Sequence, residues 1–180
     1  MKKLAFISAT VLTFILIAGF LHLGITAEDR SEEQKRVVET FCRLDLAGGL
    51  LSSENSKRSG IFDYISLSDG PFPAWDSVTL VEGYELLSVS SRSDTGEVLL
   101  RYDVIGEIPG AAELVINKRK EETRFRLRRI DGMWKIIDPN NLLPHISVET
   151  AINHLQSLVD TGGNDLPEVP LVIEKLRKLR

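Results

Sequence analysis

Cysteine, histidine and catalytic signatures are what this chain has least of. Cys42 is its single cysteine in 180 residues, so no intramolecular disulfide is available and stability has to come from packing. Lying beside Phe41 in a helical pattern, it reads as a small buried hydrophobe rather than as an exposed thiol that pairs with another chain. Of 3 histidines, only His145 and His154 follow the N-terminal segment. Their spacing, across a proline-containing loop and a helix, matches no usual zinc site. His145 is expected in a solvated loop and His154 on the polar side of its helix. No Gly-x-Ser-x-Gly, phosphate-binding glycine loop or cysteine–histidine nucleophile pair is present. The common enzyme routes are therefore unsupported, and neither a metal nor a cofactor is implied.

Positive charge is also sparse. The chain carries 22 Lys plus Arg against 26 Asp plus Glu, a balance that argues against nucleic acid as a partner. Two of those lysines, Lys2 and Lys3, precede an apolar run from Leu4 to Leu23 that ends at Gly-Ile-Thr-Ala27 before Glu28 and Asp29. A short positive start, an apolar segment and a small residue before a polar one make the pattern of an export signal. The run is also close to the roughly 20 residues that span a bilayer. The segment is thus either a signal peptide cleaved after Ala27 or an N-terminal anchor, with residues 4–23 the sole membrane element. Either outcome exports the remainder, to the periplasm or the medium. Cleavage removes two lysines and no acid, leaving a net charge near −6 and about 153 residues of the 180, enough for one ordinary core.

Ser31 with Gln34 forms a capping-box pattern, and Val37, Val38, Phe41, Leu44 and Leu46 then fall near one side of a predicted helix that stops at Gly48-Gly49. A polar stretch from Ser52 to Ser59 precedes a second short helix expected around Ile61, Phe62, Tyr64 and Ile65, with Asp63 and Tyr64 on its ordinary surface. Two prolines make the segment around Trp75 a loop. Beyond it, β-branched and aromatic residues predict strands over Thr79 to Ser90 and Glu97 to Gly106. In the second, Val98, Leu100, Tyr102 and Val104 share one face, and Leu99, Arg101, Asp103 and Ile105 the other. Glu113 to Asn117 suggests a short strand, followed by a charged turn from Lys118 to Glu122.

Asp131-Gly132 is a strong hairpin signal, because both central residues of a type I′ turn need positive φ. Pairing across it sets Ile130 against Met133, Arg129 against Trp134 and Leu127 against Ile136. Phe125, Leu127, Trp134 and Ile136 then line one face, and Arg124, Arg126, Arg128 and Lys135 the other. Ser147 is a plausible N-cap for a helix to about Asp160, with Val148, Ala151, Ile152, Leu155, Leu158 and Val159 as its apolar stripe. Residues 31–160 thus read as one α+β domain. Residues 161–180 read as a flexible linker and a short basic amphipathic tail.

The order of helix, short helix, proline-rich loop and strand meander, closing on Arg-Leu-Arg-Arg-Ile-Asp-Gly-Met-Trp-Lys-Ile-Ile (Arg126 to Ile137), resembles the nuclear transport factor 2-like superfamily over Ser31 to Asp138. The resemblance implies an N-terminal helix packed in a strongly curved antiparallel sheet, to which this chain adds a C-terminal helix. Members range from isomerases and dehydratases such as ketosteroid isomerase to noncatalytic binding and dimerisation modules, and fold alone does not choose among them.

Such enzymes resemble one another in placing an acid, a tyrosine or a histidine inside an apolar cone. The candidate pocket residues here are Tyr84, Tyr102, Phe125, Leu127, Trp134 and Ile136. No acid alternates into that hairpin face until Asp138, which favours a binding or interaction domain holding a small apolar ligand or an extracytoplasmic protein. The alternative is a small-molecule isomerase or dehydratase using Tyr102, Tyr84 or Asp138. The basic face of Arg124, Arg126, Arg128 and Lys135, with Lys118, Arg119 and Lys120 nearby, is either a docking surface for an acidic partner or a solvated strand face. Trp75 is either a ligand or partner contact or a loop residue folded over the core. Homodimerisation through the sheet follows from the resemblance alone.

Overall fold

Residues 27–66, 76–110, 113–137, 143–161 and 167–180 are described by a computed structural model. The export segment, Trp75, Asp138 and most of the predicted linker lie outside these residues. Met1–Arg30 forms one unit, of which the described part is a helical turn, and Ser31–Arg180 forms a second. Among the described residues no helix is long and apolar enough to cross a membrane.

Helix α1 (Ala27–Leu46) buries Gln34, Val38, Phe41, Cys42 and Asp45 along one stripe, the spacing that 3.6 residues per turn dictates. The capping box does not form, because Ser31 sits inside the helix and Gln34 instead donates to Ser91 Oγ at 3.1 Å. The helix ends as expected. Gly48 takes φ +86°, its N–H reaches the Asp45 carbonyl at 2.7 Å and the Gly49 N–H reaches that of Leu44 at 2.9 Å, a Schellman closure.

The polar stretch after it is a helix, α2 (Ser53–Ser59), capped by Ser52 Oγ, which accepts the Asn55 N–H at 3.1 Å. Its serines look like loop in sequence, yet one of them, Ser56, is buried and donates back to the Gly49 carbonyl at 2.7 Å. The second helix candidate is a four-residue 3₁₀ turn, Ile61–Tyr64.

Among the described residues six strands follow: β1 (Ile65–Ser66), β2 (Ser77–Arg92), β3 (Thr95–Pro109), β4 (Val115–Ile130), β5 (Met133–Ile137) and β6 (His145–Ile146), in the order β1-β5-β4-β3-β2-β6. The four central strands are antiparallel, and the short β1 and β6 join the ends in parallel. Register shifts at Leu80/Val81, Val81/Gly83 and Leu86/Ser88 of β2, and at Val104/Gly106 of β3, bend the long strands. The result is an α+β fold in which a strongly curled sheet wraps α1 and a C-terminal helix is added.

The predicted hairpin forms in the expected register, with Asp131 at φ +50° and Gly132 at φ +81°. The short strand with a charged turn after it is overturned. Lys118 to Glu122 is the middle of β4, because Lys120 pairs with Asp103 at 3.3 Å, Arg119 with Glu107 at 2.9 Å and Arg124 with Glu97 at 3.6 Å on β3. These cross-strand partners hold as a strand what looks locally like a turn.

Two apolar clusters result. In the first, Val38, Phe41 and Cys42 meet Val98, Leu100, Tyr102, Phe125, Leu127, Trp134 and Ile136 inside the curl. Phe41 and Phe125 pack edge to face at 5.7 Å. In the second, Leu80, Ile105, Ile108 and Ile146 meet α3 (Val148–Asp160) and α4 (Val169–Arg177). The bulge at Val104/Gly106 makes this possible, since it turns Ile105, expected on the outer face, into the second core. Ser147 caps α3 as predicted, its Oγ accepting the Thr150 N–H at 3.0 Å.

Gly106 sits at the register shift between β3 and β4, and a Cβ there would meet the backbone carbonyl of Val115, which has no side-chain freedom to yield. Gly106→Ala is expected to cost about 2 kcal/mol, whereas Gly83→Ala, with nothing within 4 Å of the added atom, should be near neutral. Urea unfolding of both variants checks this, and equal effects would contradict the close approach.

Candidate functional site

Three elements bring unlike polar side chains together inside the curl. Cys42 and Asp45 come from the buried stripe of α1, Tyr102 from the inner face of β3 and His145 from β6. Asp45 Oδ2 accepts the backbone N–H of His145 at 3.0 Å, and His145 Nδ1 lies 3.8 Å from the same oxygen. The imidazole stacks on the Tyr102 ring, with centroids 4.0 Å apart and planes 6° from parallel. Tyr102 OH and Cys42 Sγ share a hydrogen bond at 3.3 Å. Tyr84 stands edge-on to Tyr102 at 6.2 Å, and its hydroxyl donates to the Glu39 carbonyl at 3.3 Å.

Burial dominates the titration of this cluster. It pushes the Cys42 thiol up to about 12, the Tyr102 phenol well above its ordinary range and the Asp45 carboxyl upward. For Asp45 the hydrogen bond and charge of His145 oppose that rise only in part. Asp45 Oδ1 and His145 Nε2 are buried with no hydrogen-bond partner among the described residues. His145 Nε2 faces Glu121 Oε1 on β4 at 4.0 Å, too far for a hydrogen bond. Here His145 borders a cleft of about 320 Å³, lined also by the charged Glu121, Glu122, Arg124 and Arg126, by Thr123, and by the apolar Phe125, Ile136, Ile137 and Leu143.

Of the pocket residues expected from sequence, Tyr102, Phe125, Leu127, Trp134 and Ile136 all face inward and are buried. Phe125 and Ile136 reach the cleft, while Trp134 borders a separate groove with Val37 and Tyr64 and donates its indole N–H to Glu33 Oε2 at 3.1 Å. Tyr84 is half-buried at the flank of Tyr102.

The basic residues Arg124, Arg126 and Arg128 are exposed as an outer face, but acids interrupt its charge: Arg124 meets Glu97 and Lys120 meets Asp103. Lys135 donates to the Asp63 carbonyl. Cys42 is buried as expected.

His145 is the main correction. It is 4% exposed rather than solvated, because its strand pairs with Thr79 and Leu80 while its ring covers Tyr102. His154, expected on a polar surface, is half-buried against a second cleft with Ser77 and Ile108, and burial lowers its pKa. Among the described residues no group of acids, histidines and cysteine is arranged to hold a metal ion. Sequence reasoning missed Asp45, His145 and Glu121. Asp45 did carry a signal, since an acid three and four positions beyond Cys42 and Phe41 falls on the apolar stripe of α1.

No protein-family model and no curated protein matches this chain. Among solved structures it is similar to "Ntf2-like, potential transfer protein TraM from Gram-positive conjugative plasmid pIP501", with 12% identity and a TM-score of 0.38 over 58% of this chain and 90% of that one.

A buried carboxyl whose pKa lies above its unfolded value adds stability below the ordinary carboxylate range and loses it as pH rises through the raised value. Asp45→Asn keeps an acceptor for the His145 N–H but does not titrate. Its stability relative to the native chain should therefore increase as pH rises from 4 to 7, measured by urea unfolding at each pH. A difference independent of pH would show that Asp45 ionises as freely as in the unfolded chain.

Proposed function

We propose that this chain is an exported domain of the nuclear transport factor 2-like kind that binds without catalysis, its occupant seated in the cleft beside His145, Thr123 and Phe125. The observation that carries the reading is how the interior polar groups are spent. Tyr102 is tied to Cys42, Asp45 accepts from a backbone N–H and Tyr84 from within the flank donates to a backbone carbonyl. A proton-transfer catalyst needs at least two convergent groups in reach of substrate. Of this cluster only the His145 ring borders the cleft, and the acid that faces it there, Glu121, lies 4.0 Å from its Nε2, beyond a hydrogen bond, so the two do not form a coupled acid–base pair. The lining joins Phe125, Ile136, Ile137 and Leu143 to Glu121, Arg124, Arg126 and His145, which suits a small ligand with an apolar body and polar or charged ends. Export rests on Lys2, Lys3 and the run from Leu4 to Leu23.

A second reading, an isomerase-type or dehydratase-type enzyme, is favoured by the buried Asp45–His145 pair. In it His145 acts as the base with Asp45 behind it, a role that the 3.8 Å separation of Nδ1 and Oδ2 leaves short of a hydrogen bond.

Native mass spectrometry of the exported protein tests the binding reading. A chain beginning at Glu28 that carries a small-molecule adduct is expected, and Thr123→Trp, which fills the cleft, should release the adduct while the fold persists. An adduct retained by that variant, or none on the native chain, would contradict the site. A mass beginning at Met1 would contradict cleavage after Ala27.

A further inference from the structure

β3 pairs with β4 no further toward the turn than Arg128, and β1 pairs with β5 only at Ile136 and Ile137. The turn at Asp131-Gly132 therefore projects beyond both neighbouring strands. On the outer face of this projection Ile130 lies opposite Met133, which is 58% exposed. One step back, about 7 Å along each strand, Arg128 lies opposite Lys135, and the row continues through Thr95 on β3 to Arg92 on β2. Arg92 and Arg128 are exposed, and among the described residues no ion pair neutralises Arg92, Arg128 or Lys135. Lys135 donates to an uncharged partner, the Asp63 carbonyl.

Like charges directly opposite one another in a sheet are destabilising, so this row gains from an anion brought to it. An apolar tip with a belt of cations behind it is the order in which an element enters an anionic bilayer, apolar groups toward the acyl chains and cations among the headgroups. We propose that the β4–β5 tip docks on an anionic lipid surface, with Ile130 and Met133 leading and Arg92, Arg128 and Lys135 at headgroup level. An acidic protein would match the cations equally well, but not the apolar pair in front of them. Asp94 and Asp131, exposed beside the row, oppose the docking with a charge of the headgroups' own sign.

The course of the chain agrees. Glu33 accepts from Trp134 and Gln34 donates to Ser91, the sequence neighbours of Lys135 and Arg92, so the chain enters the Ser31–Arg180 unit at the hairpin end. Meeting the membrane that the chain has crossed rests on the export reading; docking does not depend on an occupied cleft.

A fluorophore on the exported chain tests the inference, because Cys42 is buried and silent. An environment-sensitive dye on Met133→Cys should shift to the blue with vesicles of phosphatidylglycerol and phosphatidylcholine, and stay unchanged with phosphatidylcholine alone. Uncleaved residues 4–23 would bind both vesicles alike, so the difference between them reports the tip. The same dye on Leu171→Cys, another exposed apolar position, should not respond. Added to the labelled chain, Arg128→Glu should raise the lipid needed for half the shift about tenfold, and Asp131→Asn, which suits the turn equally well, should lower it about fivefold. No shift at Met133→Cys, a shift at Leu171→Cys in its place, or indifference to both charge changes would overturn the docking. A shift with soluble poly-glutamate and none with the anionic vesicles would overturn it in favour of an acidic polypeptide.

Discussion

The end of α1 is the constraint on which this architecture turns. A helix leaves its last carbonyls without intrahelical partners, and a buried one must find them elsewhere. Here the Leu46 carbonyl accepts the Ser147 N–H at 3.2 Å and the Thr150 hydroxyl at 2.7 Å, while the Asp45 carboxylate takes the His145 N–H. Three donors from one short segment, about a hundred residues away in sequence, thus close the helix that fills the sheet. Leaving the buried Leu46 carbonyl or Asp45 carboxyl without its donor would cost about 1–3 kcal/mol each.

That closure also joins the two apolar clusters. Val38 and Phe41 belong to the first, and Ile146, within the closing segment, and Ala151, just after it, belong to the second. The bulge at Val104/Gly106 does the same for the sheet, since one strand presents Tyr102 and Val104 to α1 and then Ile105 and Ile108 to α3 and α4. The cleft lies beside the closing segment, against Phe125 and Ile136 of the first cluster. Its polar end, His145 and Glu121, comes from the closing segment and from the part of β4 that β5 leaves uncovered.

Local pattern made some of this legible. The Asp131-Gly132 turn and the alternation around it fix the β4–β5 register, and the Ser147 cap and the inner face of Tyr102 follow from equally local rules. What escaped was decided by distant partners. Lys118 to Glu122 has no apolar alternation, and it is the ladder with β3, where Asp103 and Glu107 meet its cations, that makes it strand. His145 follows a proline and looks solvated until Tyr102, on another strand, supplies the ring it stacks upon. Asp45 was visible as an acid on an apolar stripe, but its acceptor role depended on knowing where the His145 backbone would run.

Amide hydrogen exchange at His145 and Ser147 tests the closure of α1 most directly. Donors buried against Asp45 and Leu46 should exchange only as slowly as the core amides of β3, through opening of the whole domain. Exchange at the rate of an exposed turn, such as that around Gly132, would mean that the segment does not close the helix, and the buried cluster built on it would fall with it.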